Sequence, residues 1–417
     1  MNQPRDLPEA RPDPLLADVG RRWVSERYPE LGHDPLPTAP CHQPAFFERE
    51  RERLWRNAWL HVGRVEEIPR PGDWFVKDFA PYQYSLLVLR GDDGQVRAFH
   101  NICSHRCNKL AWEGRGSAGR GLVCKFHGWT YDTRGALRHV PDAGMFPPGF
   151  DPAGHGLTAV HTDVWEGFVF VHLGTPACTL AEQLGRCGQR LSGYPFHEFT
   201  EAYRYTTRIR CNWKVGMDAF SEAYHAPYLH RRTFEDSLSG TQNPDCHLLD
   251  VHLDTFCRHA TVYANPDYRP SRVGALAYRF GGASVAKREV SFDHLPPGVN
   301  PSRSPYWAFD IDGLWPNYNL YVSSENYLSH QFWPVSPTES IWEGRLYFRP
   351  ARTAAQRFAH EYARSLQLGA WLEDTGTMEH TQEVLASGVR SHFVLQEQEV
   401  LIRHFYAVLG AALGEAA

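Results

Sequence analysis

The chain has no run of about 18 apolar residues, so nothing in it is expected to span a membrane. It has no excess of basic charge: 43 Lys and Arg against 48 Asp and Glu leave a net charge of -5, which argues against a nucleic-acid partner. Its first residues are Pro-rich and charged and lack the apolar core of a signal peptide, so the cytoplasm is the expected compartment. Its nine Cys are irregularly spaced in a chain of 417 residues, which does not read as a disulfide framework. Cys in this setting point to metal, catalysis or burial. No internal repeat and no low-complexity segment is present.

The length allows two sizeable cores. Residues 1–57 read as an N-terminal helical arm, with one helix from Leu15 to Arg27 and a charged amphipathic helix from Phe46 to Arg56. From Trp59 to Gly174, short strand-like runs alternate with Pro-Gly, Ala-Pro and Asp-Asp-Gly breaks, and Arg90–Gly94 reads as a hairpin turn. This predicts an all-β domain over 58–175. Residues 176–417 are mixed. A strand leads into a helix near Lys214, antiparallel strands follow between Tyr318 and Pro350, and helices are expected over Thr353–Leu368, Thr377–Ala386 and Gln396–Leu413.

Two short loops carry the first constellation: Cys103-Ser-His105 and Cys124-Lys-Phe-His127, separated by 18 residues. A zinc finger usually groups Cys with Cys and His with His. Here each loop offers one thiolate and one imidazole, so it can give Cys to one metal and His to another. That suits a [2Fe-2S] cluster with two Cys on one iron and two His on the other, the Rieske arrangement. Imidazole ligation lifts the potential to roughly -150 mV or above, against about -400 mV for all-Cys plant-type clusters. Gly128 would let backbone approach such a cluster closely. A zinc site and chance spacing are the alternatives at this point.

These loops, as Asn101-Ile-Cys-Ser-His-Arg106 and Cys124-Lys-Phe-His-Gly-Trp129, resemble the Rieske domain of the ring-hydroxylating, non-haem-iron oxygenase family. The family usually has Gly where this chain has Cys107, and the second loop has Phe126 where a respiratory Rieske protein would offer a disulfide partner. Cys107 is therefore expected as a packed thiol.

The second constellation is Glu222-Ala-Tyr-His225 with His230. On a regular helix five residues turn through about 500°, so the two His would diverge by about 140° unless the helix breaks between them. Pro227 is expected to supply the break. Two His and one carboxylate on one face, with positions left open, form the facial triad of non-haem Fe(II) oxygenases. The resemblance places the third ligand in an acidic pair on a C-terminal helix. Asp374 is the expected ligand and Glu373 its alternative. Glu222 lies one helical turn before His225, within reach of the imidazole. The resemblance implies that Glu222 also joins His225 to His127 of a neighbouring subunit. Family members often carry Asn at the position of Asp218 or Ala219, so Asp218 could sit near the metal, bridge subunits or cap a polar channel. Leu314–Tyr318 and Trp333–Val335 resemble the sheet that walls the family's substrate pocket.

The expected fold is α+β, a β-rich Rieske domain inserted in a catalytic domain of antiparallel sheet and covering helices. The implied cofactors are the [2Fe-2S] cluster and a mononuclear Fe(II), with NAD(P)H acting through a ferredoxin or reductase. The implied assembly is a head-to-tail homotrimer, in which one chain's cluster serves the next chain's iron; a β subunit remains open. The implied activity is dioxygen-dependent hydroxylation of an aromatic or other apolar small molecule, as in aromatic hydrocarbon catabolism. Monooxygenation or oxidative demethylation is the alternative. A pure electron carrier or a non-catalytic ligand binder would not need both metal sets.

Overall fold

In the computed structural model, residues 19–119, 121–281, 292 and 294–414 are described. Two seven-stranded sheets organise the chain. The first runs, in spatial order, Trp59–Arg64, Phe168–His172, Ala159–Trp165, Val96–His100, Tyr84–Arg90, Asp73–Phe79 and Arg115–Ser117. Every pairing within it is antiparallel. A separate three-stranded sheet of Leu122–Val123, Thr130–Tyr131 and Leu137–His139 carries the second Cys/His loop between its first two strands. All these strands lie between 59 and 172.

The second sheet is also antiparallel, in the order Glu201–Ile209, Glu339–Phe348, Asn326–Ser336, Tyr318–Val322, Trp307–Leu314, Cys257–Tyr263 and Asp250–Leu253. Helix Ala354–Leu385 covers one part of it and helix Val400–Leu413 another. The mixed architecture is the α+β fold expected. An ion network joins the two sheets: Lys77 pairs with Glu343, and Arg345 bridges Glu343 (3.1 Å) and Glu67 (3.2 Å).

Several boundaries differ from the sequence expectation. The two helices expected over Thr353–Leu368 and Thr377–Ala386 are one 32-residue helix. Gly369 and Gly376 read as breaks, since each costs about 1 kcal/mol in a helix interior. A buried stripe of Ala359, Ala363, Ala370, Trp371, Asp374, Met378, Gln382 and Leu385 runs through both, and its burial outweighs that cost. Of the helix expected over Leu15–Arg27, only Trp23–Glu26 is helical, and residues 15–18 lie outside the described residues. The next helix is Pro44–Arg53, starting on Pro where a missing N–H is harmless. The last helix begins at Val400, after a 3-10 turn at Glu397–Glu399. One disulfide is present: Cys187, on helix Leu180–Leu191, is bonded to Cys257 across 70 residues. Both partners are buried, and no spacing motif announces them.

Candidate active site

The segment with both His begins at helix Trp213–Ala219, capped by the Asn212 side chain, which accepts from Lys214 N at 3.0 Å. The helix is anchored by a fully buried ion pair, Lys214 Nζ to Glu50 Oε1 at 2.6 Å, and by Trp213 Nε1 donating to Glu50 Oε2 at 2.9 Å. Glu50 belongs to the N-terminal arm, which therefore supports the site directly. Beyond Ala219 the chain leaves the helix. The Phe220 carbonyl accepts from Asn319 Nδ2 (2.9 Å) and from Tyr321 Oη (2.8 Å), both on one strand of the sheet.

Residues 221–225 form a turn, so Glu222 and His225 do not share a helix as expected. Pro227 does not break a helix either. It opens the one-turn helix Ala226–Leu229, where its fixed φ and missing N–H are tolerated. His225 precedes that turn and His230 follows it, with ring centroids 5.1 Å apart. A single helical turn with a His at each end thus achieves the convergence assigned to a break.

Each imidazole is held from behind by a different carboxylate. Glu222 accepts from His225 Nδ1 and from the His225 backbone N–H (3.1 Å). Glu373 accepts from His230 Nδ1 at 2.8 Å. An ionised carboxylate only accepts, so each Nδ1 carries hydrogen and each Nε2 is the ring nitrogen left to meet a metal. The Nε2 atoms of His225 and His230 lie 3.9 and 3.2 Å from Asp374 Oδ1. The three donor groups fall within 4.8 Å of one another. Asp374 is 3 % exposed. Burial pushes the His225 imidazole down, but the Glu222 and Asp374 carboxylates outweigh it and hold the ring at about 9. Two neutral-capable imidazoles and one buried carboxylate, with further acids behind them, form a donor set for a divalent cation and match the 2-His-1-carboxylate chemistry of Fe(II).

The site opens onto a cavity of about 150 Å3, walled by Phe220, Phe234, Phe309, Tyr321, Leu328 and His330 among others. Asp218 is not among the residues lining it. It accepts from Tyr406 Oη (3.0 Å) instead, on helix Val400–Leu413, and burial pushes its carboxyl up to about 7.

The two Cys/His loops adopt the same turn: Cys107 N donates to Cys103 O (3.1 Å) and Gly128 N to Cys124 O (2.9 Å). Both closing residues are left-handed, at φ 58° for Cys107 and 72° for Gly128. This is the physical reason that Gly suits the first loop, and Cys107 occupies the position with strain. Cys107 is exposed, not the packed thiol expected. Cys103 and Cys124 are buried while His105 and His127 sit at the tip, ring centroids 4.7 Å apart. Cys103 Sγ lies 3.2 Å from Tyr131 Oη and Cys124 Sγ 3.8 Å from Asn108 Nδ2. The His105 ring stacks on Trp129 at 4.8 Å, and its buried Nδ1 has no protein partner. Two inward thiols and two outward imidazoles fit a [2Fe-2S] cluster with Cys on the inner iron.

Residues 196–415, more than half of the chain, match the model of the ring hydroxylating alpha subunit (catalytic domain) family. The chain belongs to that family. Residues 58–148 match the Rieske [2Fe-2S] domain, which makes the chain a Rieske non-haem iron oxygenase alpha subunit by family. Among its relatives, the glycine betaine monooxygenase oxygenase subunit of Chromohalobacter salexigens is 28 % identical over 249 residues, covering 59 % of this chain and 54 % of the relative. The carnitine monooxygenase oxygenase subunit of Escherichia coli is 31 % identical over 194 residues, covering 46 % and 50 %. The chain thus spans about half the length of these relatives. A solved quaternary ammonium Rieske monooxygenase shares the alpha-subunit fold at TM-score 0.73 and 22 % identity, covering 91 % of this chain and 95 % of that one.

Two features escaped the sequence reading. Glu373 is not an alternative to Asp374 at the metal position but the acceptor behind His230. His330 is a lone His in a strand-like run, which reads as core.

Proposed function

We propose that this chain is the oxygenase component of a multicomponent Rieske oxygenase, which uses dioxygen and electrons from NAD(P)H, delivered by a ferredoxin or reductase, to hydroxylate a small, largely apolar molecule. The observation that carries this reading is the His225, His230 and Asp374 set opening onto an apolar cavity, in a chain that also holds the paired Cys/His loops. When bound, the Rieske cluster would supply single electrons and the mononuclear Fe(II) would activate dioxygen. Cys103 and Cys124 would hold one iron of the cluster, and His105 and His127 the other.

Residues 58–175 form the electron-storing domain in this reading, and 176–417 with the arm 1–57 the catalytic one. Glu222 and Glu373 fix the two imidazoles. The aromatic cavity wall excludes water and positions substrate. Among the described residues no hydrogen bond, ion pair or ring contact joins the two ligand sets within one chain. A ring of copies, most simply a trimer, brings His127 of one copy against Glu222 of the next.

A second reading is monooxygenation of a quaternary ammonium compound with loss of an alkyl group. It is favoured by the named relatives and by the rings of Phe220, Phe234, Phe309 and Tyr321, which can hold a cation on their faces. Product analysis with labelled dioxygen, using the iron-loaded chain, a reductase system and a panel of aromatic and N-methyl compounds, tests both. One labelled oxygen in a hydroxylated product marks monooxygenation and two mark dihydroxylation; where an alkyl group is lost the oxygen leaves with the released aldehyde, which is reduced to its alcohol before it exchanges with water. A reducible cluster and loaded iron with neither a labelled nor a dealkylated product from any compound would overturn the oxygenase reading.

A further inference from the structure

Helix Ala354–Leu385 presents Ala363, Leu366, Gln367, Ala370 and Asp374 to the cavity, at the three- and four-residue spacing of one helix face. At about 100° per residue, Gln367 stands about 20° from Asp374 around the axis, with Trp371 to one side and Ala363 and Ala370 to the other. Asp374, Trp371, Ala363 and Ala370 are all buried. Gln367 is not: it keeps partial exposure in the middle of a buried face. A side chain so placed is reached from whatever that face borders, and here the face borders the cavity. Its carboxamide makes no hydrogen bond among the described residues, and neither amide atom is sealed from solvent. Gln367 therefore offers a donor and an acceptor, both within reach of a molecule in the cavity.

The helix also sets how far this amide lies from the metal position. Gln367 comes seven residues before Asp374, about 10 Å along the axis, and helical side chains lean toward the N-terminus, which carries the amide farther from the His225, His230 and Asp374 set. Charge is confined to the other end of the cavity. The divalent ion that those three residues would hold sits there with the Asp374 and Glu222 carboxylates, and among the described residues lining the cavity none is Lys or Arg. A charged group of a substrate can meet an opposite charge at that end, whether the ion or an acid. At Gln367 it would meet an uncharged amide, so the group suited to that position is polar and neutral.

We propose that Gln367 is a specificity-determining residue of this cavity: its carboxamide hydrogen-bonds an uncharged hydroxyl or carbonyl group, carried by an otherwise apolar substrate about two helical turns from the carbon that faces the metal. This rests on the oxygenase reading of the same site. The substrate class is then an elongated molecule with one end apolar at the reacting carbon and a neutral oxygen function at the other.

The test uses two probes of one shape, hydrocinnamyl alcohol and n-butylbenzene, which differ by a hydroxyl against a methyl group. Affinities are measured by calorimetry on the iron-loaded full chain without reductant, for wild type, Gln367→Met and Gln367→Leu. Gln367→Met keeps the length of the side chain and removes both hydrogen-bonding groups, and Gln367→Leu removes them in a different shape. The alcohol loses more hydration than the hydrocarbon, so the informative quantity is the ratio of their dissociation constants, compared between proteins. Each variant should shift that ratio against the alcohol on the order of tenfold, the value of one buried hydrogen bond. n-Butylbenzene binding should persist, which shows that the cavity is intact. The shift should be the same after the mononuclear iron is removed by chelation, because the amide acts far from the metal. A shift seen only with iron present would mean that the hydroxyl is held at the metal, and an unchanged ratio would mean that Gln367 does not meet it. Either result overturns the assignment of Gln367 and leaves the oxygenase reading, tested separately by labelled products, in place. Loss of n-butylbenzene binding in both variants, or no probe binding wild type at all, would also overturn the proposal.

Discussion

Glu373 and Asp374 are neighbours on one helix, about 100° apart around its axis, and they address opposite ends of the same imidazole. Single substitutions separate their roles. Glu373→Ala removes the acceptor at His230 Nδ1, and an acceptor behind a metal-bound His is typically worth 10- to 100-fold in metal affinity, or about 1.4–2.7 kcal/mol. The Glu373 side chain is 25 % exposed, so solvent screens it and the lower end of that range is expected. Asp374→Ala removes a donor that is 3 % exposed and leaves two imidazoles with no anion between them. Its iron loss should exceed the about 100-fold ceiling of a supporting residue. Anaerobic Fe(II) titration of the apo mononuclear site provides the assay, with the Rieske absorbance as an internal standard for folding. If Glu373→Ala abolishes iron binding and Asp374→Ala weakens it only modestly, the two roles are reversed and the geometry has been misread.

Glu222→Gln should leave mononuclear iron bound and the cluster reducible, while single-turnover transfer from a pre-reduced cluster falls by orders of magnitude; transfer at the wild-type rate would place the bridge elsewhere. Asp218→Asn should change the pH dependence of stability. The folded carboxyl is raised from 3.8 to about 7, so between those values the folded state holds a proton that the unfolded state has lost. Wild-type stability therefore falls as pH rises through this window, by at most about 4 kcal/mol at about 1.36 kcal/mol per pH unit, and then levels off. The Asn variant lacks this component. It should match wild type near pH 4 and exceed it at pH 8 in urea denaturation, and an equal difference at both pH values would refute the argument.

The pairing of the two Cys/His loops and the convergence of His225 and His230 were legible because each set lies within one short segment, where residue type and spacing suggest the chemistry. Asp374 was legible only through family resemblance. Nothing local distinguishes it from Glu373, because which of two adjacent acids meets a metal depends on how helix Ala354–Leu385 is rotated against the sheet. The same helix was read as two because Gly369 and Gly376 weaken its local propensity, while the buried stripe that sustains it is a tertiary effect. The Cys187–Cys257 bond joins elements far apart in sequence and leaves no spacing signal. His330 was illegible for a different reason. A polar residue on an apolar strand is recognised as unpaired only when its surroundings are known.

The two imidazoles are supported asymmetrically, and this bears on how the proposed assembly would work. His230 is 4 % exposed at its side chain and is held by Glu373 from the covering helix. It is tied to the rigid body of the domain. His225 is 27 % exposed and is held by Glu222 from its own turn, with the Glu222 side chain 10 % exposed. Exposed Tyr224 and Tyr228 lie on the same short stretch of chain. A docking partner could therefore reach the back of His225 through Glu222 but could not reach the back of His230 without displacing the helix. In the proposed assembly, electron delivery through one imidazole and mechanical anchoring through the other would divide the two tasks between two carboxylates. On this view Glu373→Ala should alter iron affinity more than transfer rate, and Glu222→Gln the reverse.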